Sequence, residues 1–296
     1  MNLLKRLLTP FAALLAVAQP VAAKAPVTAR PALWSVSDED TTIYLFGTIH
    51  LLPTDYQWRS PRFDQALANS DELVVETIVD LDHPQAFQAS LLKLGYTPGL
   101  PPIVERVPPA KRGLLKAAIA KSGLPESSFN LMETWLAGFM LLGVQLQSMG
   151  LQGKAGPEEA LKLQFAAAKK PIGELETNSE QLGFFDRLPE SAQRQLLEGA
   201  IEAPVDTQKE FRSMLASWSK GDVNAIAKNF NRDLSGSPAL MDALIKQRNA
   251  NWSRWIEQRM AKPGSVFIAV GAGHLAGPSS VIKLLERDGF RVHRLQ

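Results

Sequence analysis

A mixed α/β fold with a central mixed sheet is what this sequence predicts, on three features. Short runs of apolar residues with strand character cluster in the outer thirds of the 296-residue chain. The middle shows apolar residues at helical spacing instead, and Pro and Gly punctuate the joins. At 45% apolar residues the chain can bury a core of one large domain or two modest ones, so general disorder is not expected.

The first 23 residues read as a secretory leader, removed before the mature protein acts in the periplasm. Lys5 and Arg6 form the charged start, Phe11 to Val17 a short apolar stretch, and Val21-Ala22-Ala23 the small residues of a cleavage site. Leu7 to Val17 is interrupted by Thr9 and Pro10 and falls short of the roughly 20 residues a membrane-spanning helix needs. After the cut, residues 24–296 hold 30 basic and 30 acidic side chains. That balance argues against nucleic acid and against an anionic membrane as partners, and for a peptide or small-molecule substrate. With no cysteine in the chain, disulfides and thiolate chemistry are excluded, and any metal must be held by His, carboxylates and water.

Leu33-Trp34-Ser35-Val36 and Thr41 to Phe46 flank the polar run Ser37-Asp38-Glu39-Asp40, which predicts a β-hairpin whose second strand runs into Gly47. A helix is expected over Pro61 to Asn69 and a strand over Asp71 to Ile78, ending near Glu76; strand, helix, strand suggests a βαβ unit. Residues of about 80–260 form a helix-rich middle, with helices over His83 to Leu94, Pro109 to Lys121, Pro125 to Met149 and Pro157 to Lys169 and several more from residue 178 onward. It is interrupted by a short strand at Pro171 to Leu175. Ser265 to Val270 is a strongly apolar strand ending in a second glycine turn, followed by a helix over Pro278 to Arg287 and a strand at Phe290 to Arg294.

A strand running into Gly-x-x-His therefore occurs twice, at Gly47-Thr48-Ile49-His50 and Gly271-Ala272-Gly273-His274. Catalytic groups in α/β folds gather past the carboxyl ends of strands, and a glycine there permits a sharp turn or a close backbone approach that aims the histidine over the strand end. Two of the chain's four histidines share this context; His83, before a proline, and His293, in the last strand, read as structural. Glu76 ends one strand and Glu176 another, with Glu174 on the same side of the pleat as Glu176. Arg248-Asn249, close before Trp252, offers a cation and an amide for a substrate carbonyl or oxyanion. Two imidazoles with one or two carboxylates match the ligands of a divalent transition metal and equally match metal-free acid/base catalysis. The chain lacks His-Glu-x-x-His, Gly-x-Ser-x-Gly and a P-loop, which removes support for the zincin, serine-hydrolase and nucleotide readings.

With these residues in view, the chain resembles the TraB/GumN family, which includes the Tiki-type metalloproteases. The resemblance rests on Tyr44 to His50, Glu72 to Thr77, Gly173 to Thr177, Arg248-Asn249 with Trp252, and Val270 to Gly277, in the family's order. It implies a mixed α/β fold in two pseudo-symmetric halves and a site uniting both Gly-x-x-His turns with glutamates. It also implies a metal-dependent peptidase favouring Mn²⁺ or Co²⁺, while the residue types alone admit Zn²⁺ as well. On that basis His50, His274 and Glu76 are the expected metal ligands, Glu176 the base, and Arg248 and Asn249 the substrate-orienting pair. Two departures are Gly156-Pro157-Glu158, where the family opens a helix with Gly, an aliphatic residue and an acid, and Thr134, where it often has proline. The alternative is a non-catalytic ligand- or peptide-binding protein of the same fold in the cell envelope.

Overall fold

The computed structural model describes residues 29–53, 56–79, 85–152, 156–202, 204–234 and 237–296. The leader and His83 lie outside them. Among the described residues there are eight strands: β1 (Leu33–Ser37), β2 (Thr41–Thr48), β3 (Leu52–Pro53), β4 (Glu72–Val75), β5 (Leu151–Gln152), β6 (Ile172–Glu174), β7 (Gly264–Gly271) and β8 (Val292–Arg294). Six of them form one mixed sheet in the order β6-β4-β7-β2-β1-β8, while β3 and β5 pair separately.

The expected hairpin is there: β1 and β2 run antiparallel from Leu33 opposite Phe46 to Ser37 opposite Thr42. Its turn is held by Asp38, whose Oδ1 accepts from the backbone N–H of Asp40 and Thr41. The helix Pro61–Ala68 starts at Ser60, whose hydroxyl accepts from Phe63 N at 3.1 Å, with proline in the first turn. It leads to β4 as expected, yet β4 does not pair with β2. The C-terminal strand β7 lies between them, parallel to both, and β6 adds a further parallel strand beside β4. Four parallel strands thus end on one edge, contributed by both outer thirds of the chain and by the short strand after Pro171.

Strand β7 reads as a continuous apolar run because both its faces are covered. Phe267 and Ala269 join one core with Phe46, Phe63, Leu73 and Trp218. Val266, Ile268 and Val270 join a second with Leu45, Val74, Trp252 and Ile256. A third core, around Trp135, Leu115 and Leu197, is built from the middle helices alone. Among the described residues no helix is long and apolar enough to cross a membrane.

The helix expected over Pro125 to Met149 is two, Glu126–Asn130 and Thr134–Ser148. Arg106 is the physical reason. Its buried guanidinium donates to the carbonyls of Asn130 and Met132, at 3.0 and 2.6 Å, and its Nε to that of Pro101. Those helix carbonyls are thereby withdrawn from i to i+4 bonding. Replacing Arg106 by leucine strands buried acceptors, and urea unfolding is expected to show a loss of about 3–5 kcal/mol. The last helix likewise starts later than Pro278, at Val281 after the capping hydroxyl of Ser280.

Candidate active site

Both Gly-x-x-His segments stand side by side, since Gly47 pairs with Val270 and Thr48 with Gly271 across β2 and β7. Of the two purposes expected of the glycines, a sharp turn or a close backbone approach, the structure shows the second. Gly47 lies within β2, Gly271 closes β7, and neither has a positive φ. What Gly47 provides is room: a Cβ there would lie 3.0 Å from Ala272 Cα. A Cβ on Gly271 would lie 3.1 Å from a carboxylate oxygen of Glu76 and 3.6 Å from both His50 Nε2 and His274 Cδ2. The two imidazoles are therefore separated there by no more than twice that last distance. Gly47→Ala is expected to force the turns apart and cost about 1–3 kcal/mol, measurable as a lowered melting temperature.

The glutamates arrive on neighbouring strands. Beyond the ends of β4 and β6 the ladder continues, with Leu175 N donating to Val75 O and Glu176 N to Glu76 O at 2.9 Å, so Glu76 and Glu176 stand adjacent and buried. Glu174 turns elsewhere: its carboxylate accepts from Ile78 N at 2.7 Å. Thr177 caps the helix Asn178–Asp186 in a reciprocal capping box with Glu180, so this corner is both a helix start and part of the site.

Between the two glutamates lies Arg248. A π-helical turn, Asp242–Lys246, precedes the helix Gln247–Met260 that carries it; such turns recur at functional sites. Arg248 Nε donates to Glu176 at 2.9 and 3.1 Å, and Nη2 to Glu76 at 2.7 Å and Glu176 at 2.8 Å. Trp252 Nε1 donates to Glu176 at 2.9 Å, and Gly271 N to Glu76 at 2.6 Å. Burial works against the ionised form of Glu76. His274 when protonated, Arg248, His50 and the Gly271 N–H outweigh it and draw its pKa down to about 2. At Glu176 burial prevails over Arg248 and the pKa is raised. Burial also disfavours the cation at Arg248, but Glu76 and Glu176 more than compensate and its pKa is raised.

His274 belongs to the same buried network. Asn249 donates its amide to Ser279 O at 2.7 Å and to His274 O, which leaves Asn249 Oδ1 to accept from His274 Nδ1 at 2.6 Å. Those bonds assign the Nδ1–H tautomer. The Nε2 lone pair then accepts from Arg248 Nη1 at 3.2 Å, and the ring packs against Trp252. Burial, with Arg248 and His50 adding to it against Glu76, lowers the pKa of His274 to about 3, so it is neutral near pH 7.

His50 is different. Its side chain is 63% exposed, and Nδ1 lies 2.6 Å from Glu158 Oε1, a carboxylate only 17% exposed. Glu158 also accepts from Thr48 Oγ1. Surrounding protein opposes ionisation of His50. The charge and hydrogen bond of Glu158, with Glu76 behind, prevail and raise its pKa to about 9. The same pairing, against burial, lowers that of Glu158. Among the described residues Nε2 of His50 has no hydrogen-bond partner. His50, Glu76, Glu158, Lys162 and Gln181 line one cleft of about 270 Å³ without any Phe, Tyr or Trp.

The site residues expected from the sequence thus all reach one sheet edge, in two groups. Glu76, Glu176, Arg248, Asn249 and His274 form a buried network that touches the cleft through Glu76, which also accepts from Gln181 Nε2 at 3.3 Å, and His50 faces the cleft. Asn249 is fully buried with its amide committed, so it orients His274 and has no free group for a substrate. Glu158, in sequence only an acid at a helix start, is the partner of His50; Pro157 in the first turn and the positive end of the helix were its signals. The donor types expected of a metal centre are all present, but as arranged they do not fit one. Arg248 occupies Nε2 of His274 and both carboxylates, and among the described residues no group of three His, Asp or Glu is placed to hold a metal ion.

A model of the TraB/PrgY/gumN family matches residues 32–294, from just before β1 to the end of β8. Comparisons with curated proteins and with solved structures returned no match.

Proposed function

Given that the chain belongs to the TraB/PrgY/gumN family, we propose that it is a hydrolase of ester or amide bonds in which His50, paired with Glu158, moves the proton. The observation that carries this reading is the contrast between its two motif histidines. His274 is buried and neutral, whereas His50 is exposed, backed by a carboxylate, and presents beside the cleft an Nε2 with no hydrogen-bond partner among the described residues. A base oriented by a third group is the arrangement that acid/base hydrolysis requires.

In this reading Glu158 holds Nδ1–H, and deprotonated Nε2 takes a proton from water as the oxygen attacks the substrate carbonyl carbon. The protonated ring then returns the proton to the departing alcohol or amine as the carbon–heteroatom bond breaks. Lys162, paired with Glu159 at the same cleft, supplies positive charge for the developing oxyanion. The buried Arg248 network fixes the floor. A cleft without aromatic walls favours turnover of a substrate over capture of an apolar ligand. Lys5, Arg6 and the apolar run after them support action outside the cytoplasm, in the periplasm.

The test is hydrolysis of a panel of chromogenic esters and peptide anilides by the mature chain, beside His50→Ala and under chelation. His50→Ala is expected to lose a factor of at least about 10² in kcat/KM, with no effect of chelator. Turnover that survives in His50→Ala, or that requires added Mn²⁺ or Co²⁺, overturns the proposal.

A further inference from the structure

A second cleft, of about 570 Å³, shares no lining residue with the His50 cleft; Glu176 is in its wall, and two helices supply most of the rest. The helix Asn178–Asp186 and the residue that follows it contribute Phe184 and Arg187; the helix Gln247–Met260 contributes Asn251, Arg254, Trp255 and Gln258. Nearly all of these end in flat groups: guanidinium, amide or ring.

Its charges are unequal in availability. Of the two carboxylates in the wall, Glu176 is neutralised by Arg248 and bonded by Trp252. Glu180 is committed to the N–H and hydroxyl of Thr177. Arg187 and Arg254 form no salt bridge among the described residues, and Asp186 acts on Arg187 only through space. Arg187 lies over the Phe184 ring, 5.4 Å from its centroid, and Arg254 donates only to Asn251 Oδ1. Two guanidinium forks free of salt bridges in one concave wall match a carboxylate bidentately. The amide of Gln258 and the ring of Trp255 suit the polar and flat parts of what the carboxylate is attached to.

We propose that this cleft is a binding site for a small organic carboxylate, held by Arg187 and Arg254 against Trp255, separate from the His50 cleft. The reading does not depend on the hydrolytic one, because it uses neither His50 nor Glu158. Both arginines are exposed, Arg254 on its helix and Arg187 at the residue that caps the other, so their replacement is expected to leave the fold intact.

The experiment is titration of the mature chain with hippurate, which carries a carboxylate, an amide and a ring, followed by calorimetry and tryptophan fluorescence. Hippuramide, which lacks the charge, and inorganic phosphate are the comparison probes. Saturable hippurate binding is expected that weakens at least tenfold in Arg187→Met/Arg254→Met, falls with added salt, and is unchanged in His50→Ala. Hippuramide is expected not to bind. Failure of hippurate to saturate, equal binding by the double variant, or loss in His50→Ala overturns the proposal. Phosphate binding as tightly as hippurate also overturns it, since the site is then a general anion patch.

Discussion

Replacing Arg248 by methionine is expected to lower the free energy of unfolding by about 3–5 kcal/mol, because it leaves two buried carboxylates and an imidazole lone pair without their shared donor. Arg248 makes four hydrogen bonds to Glu76 and Glu176 and one to His274, all buried. Lysine at the same place keeps the charge but not the fork, and is expected to recover only part of the loss.

The pH dependence separates this from a packing effect. In the wild type, Glu76 has a folded pKa of about 2, below its unfolded value. Its contribution is therefore present above about pH 4.5 and lost as the pH falls towards 2. His274, lowered to about 3 by burial, contributes in the same sense: its neutral form is favoured by folding, and stability is lost as the pH falls from about 6.5 to 3. In Arg248→Met the carboxylates are buried without a cation, so their pKa values rise and the variant gains by protonating them. The gap between wild type and variant is expected to narrow from pH 7 to pH 5 in urea titrations. A gap that stays constant shows that Arg248 acts through packing alone.

The second large effect is on the rate. With His50 raised to about 9 by Glu158, the base form is scarce near neutrality. The kcat/KM for an ester is then expected to climb about tenfold per pH unit and level off near pH 9. Glu158→Gln removes the carboxylate that holds the proton on His50. The bend in the profile is expected to move down towards about 6.5, the ordinary histidine value, and the plateau to drop, since Nδ1–H loses its charged acceptor. A bend that stays near 9 in Glu158→Gln rules out the pair as the titrating unit. The same linkage has a stability face. A raised histidine stabilises the fold below about pH 6.5 and ceases to do so as the pH passes 9, by an amount that the exposure of the ring keeps small.

Much of this was legible along the chain because it is set by local patterns. The hairpin follows from alternating residues around Asp38 to Asp40, and the helix at Pro61 from a serine cap and a proline. The full burial of β7 follows from an unbroken apolar run. The two Gly-x-x-His segments and the strand-end glutamates were visible for the same reason, as chemistry placed at the ends of recognisable strands. The resemblance to a known family joined them into one site. Arg106 shows the opposite case: it splits a helix whose own residues read as continuous, from 24 positions away.

The class of fold, the strand ends and the chemistry placed at them are readable along the chain, since period, turn chemistry and apolar runs are properties of neighbouring residues. How those residues divide follows from contacts between segments far apart in the chain. The insertion of β7 between β2 and β4 set the two turns in register, and Gly47 made space for Ala272. The inward face of the helix Gln247–Met260 then brought Arg248 to the carboxylates and Asn249 to His274. That left His50 to Glu158, from a helix more than a hundred residues later. Which imidazole is neutral and which carries a proton depends on burial and on the charge a few ångströms away, and distant segments supply both.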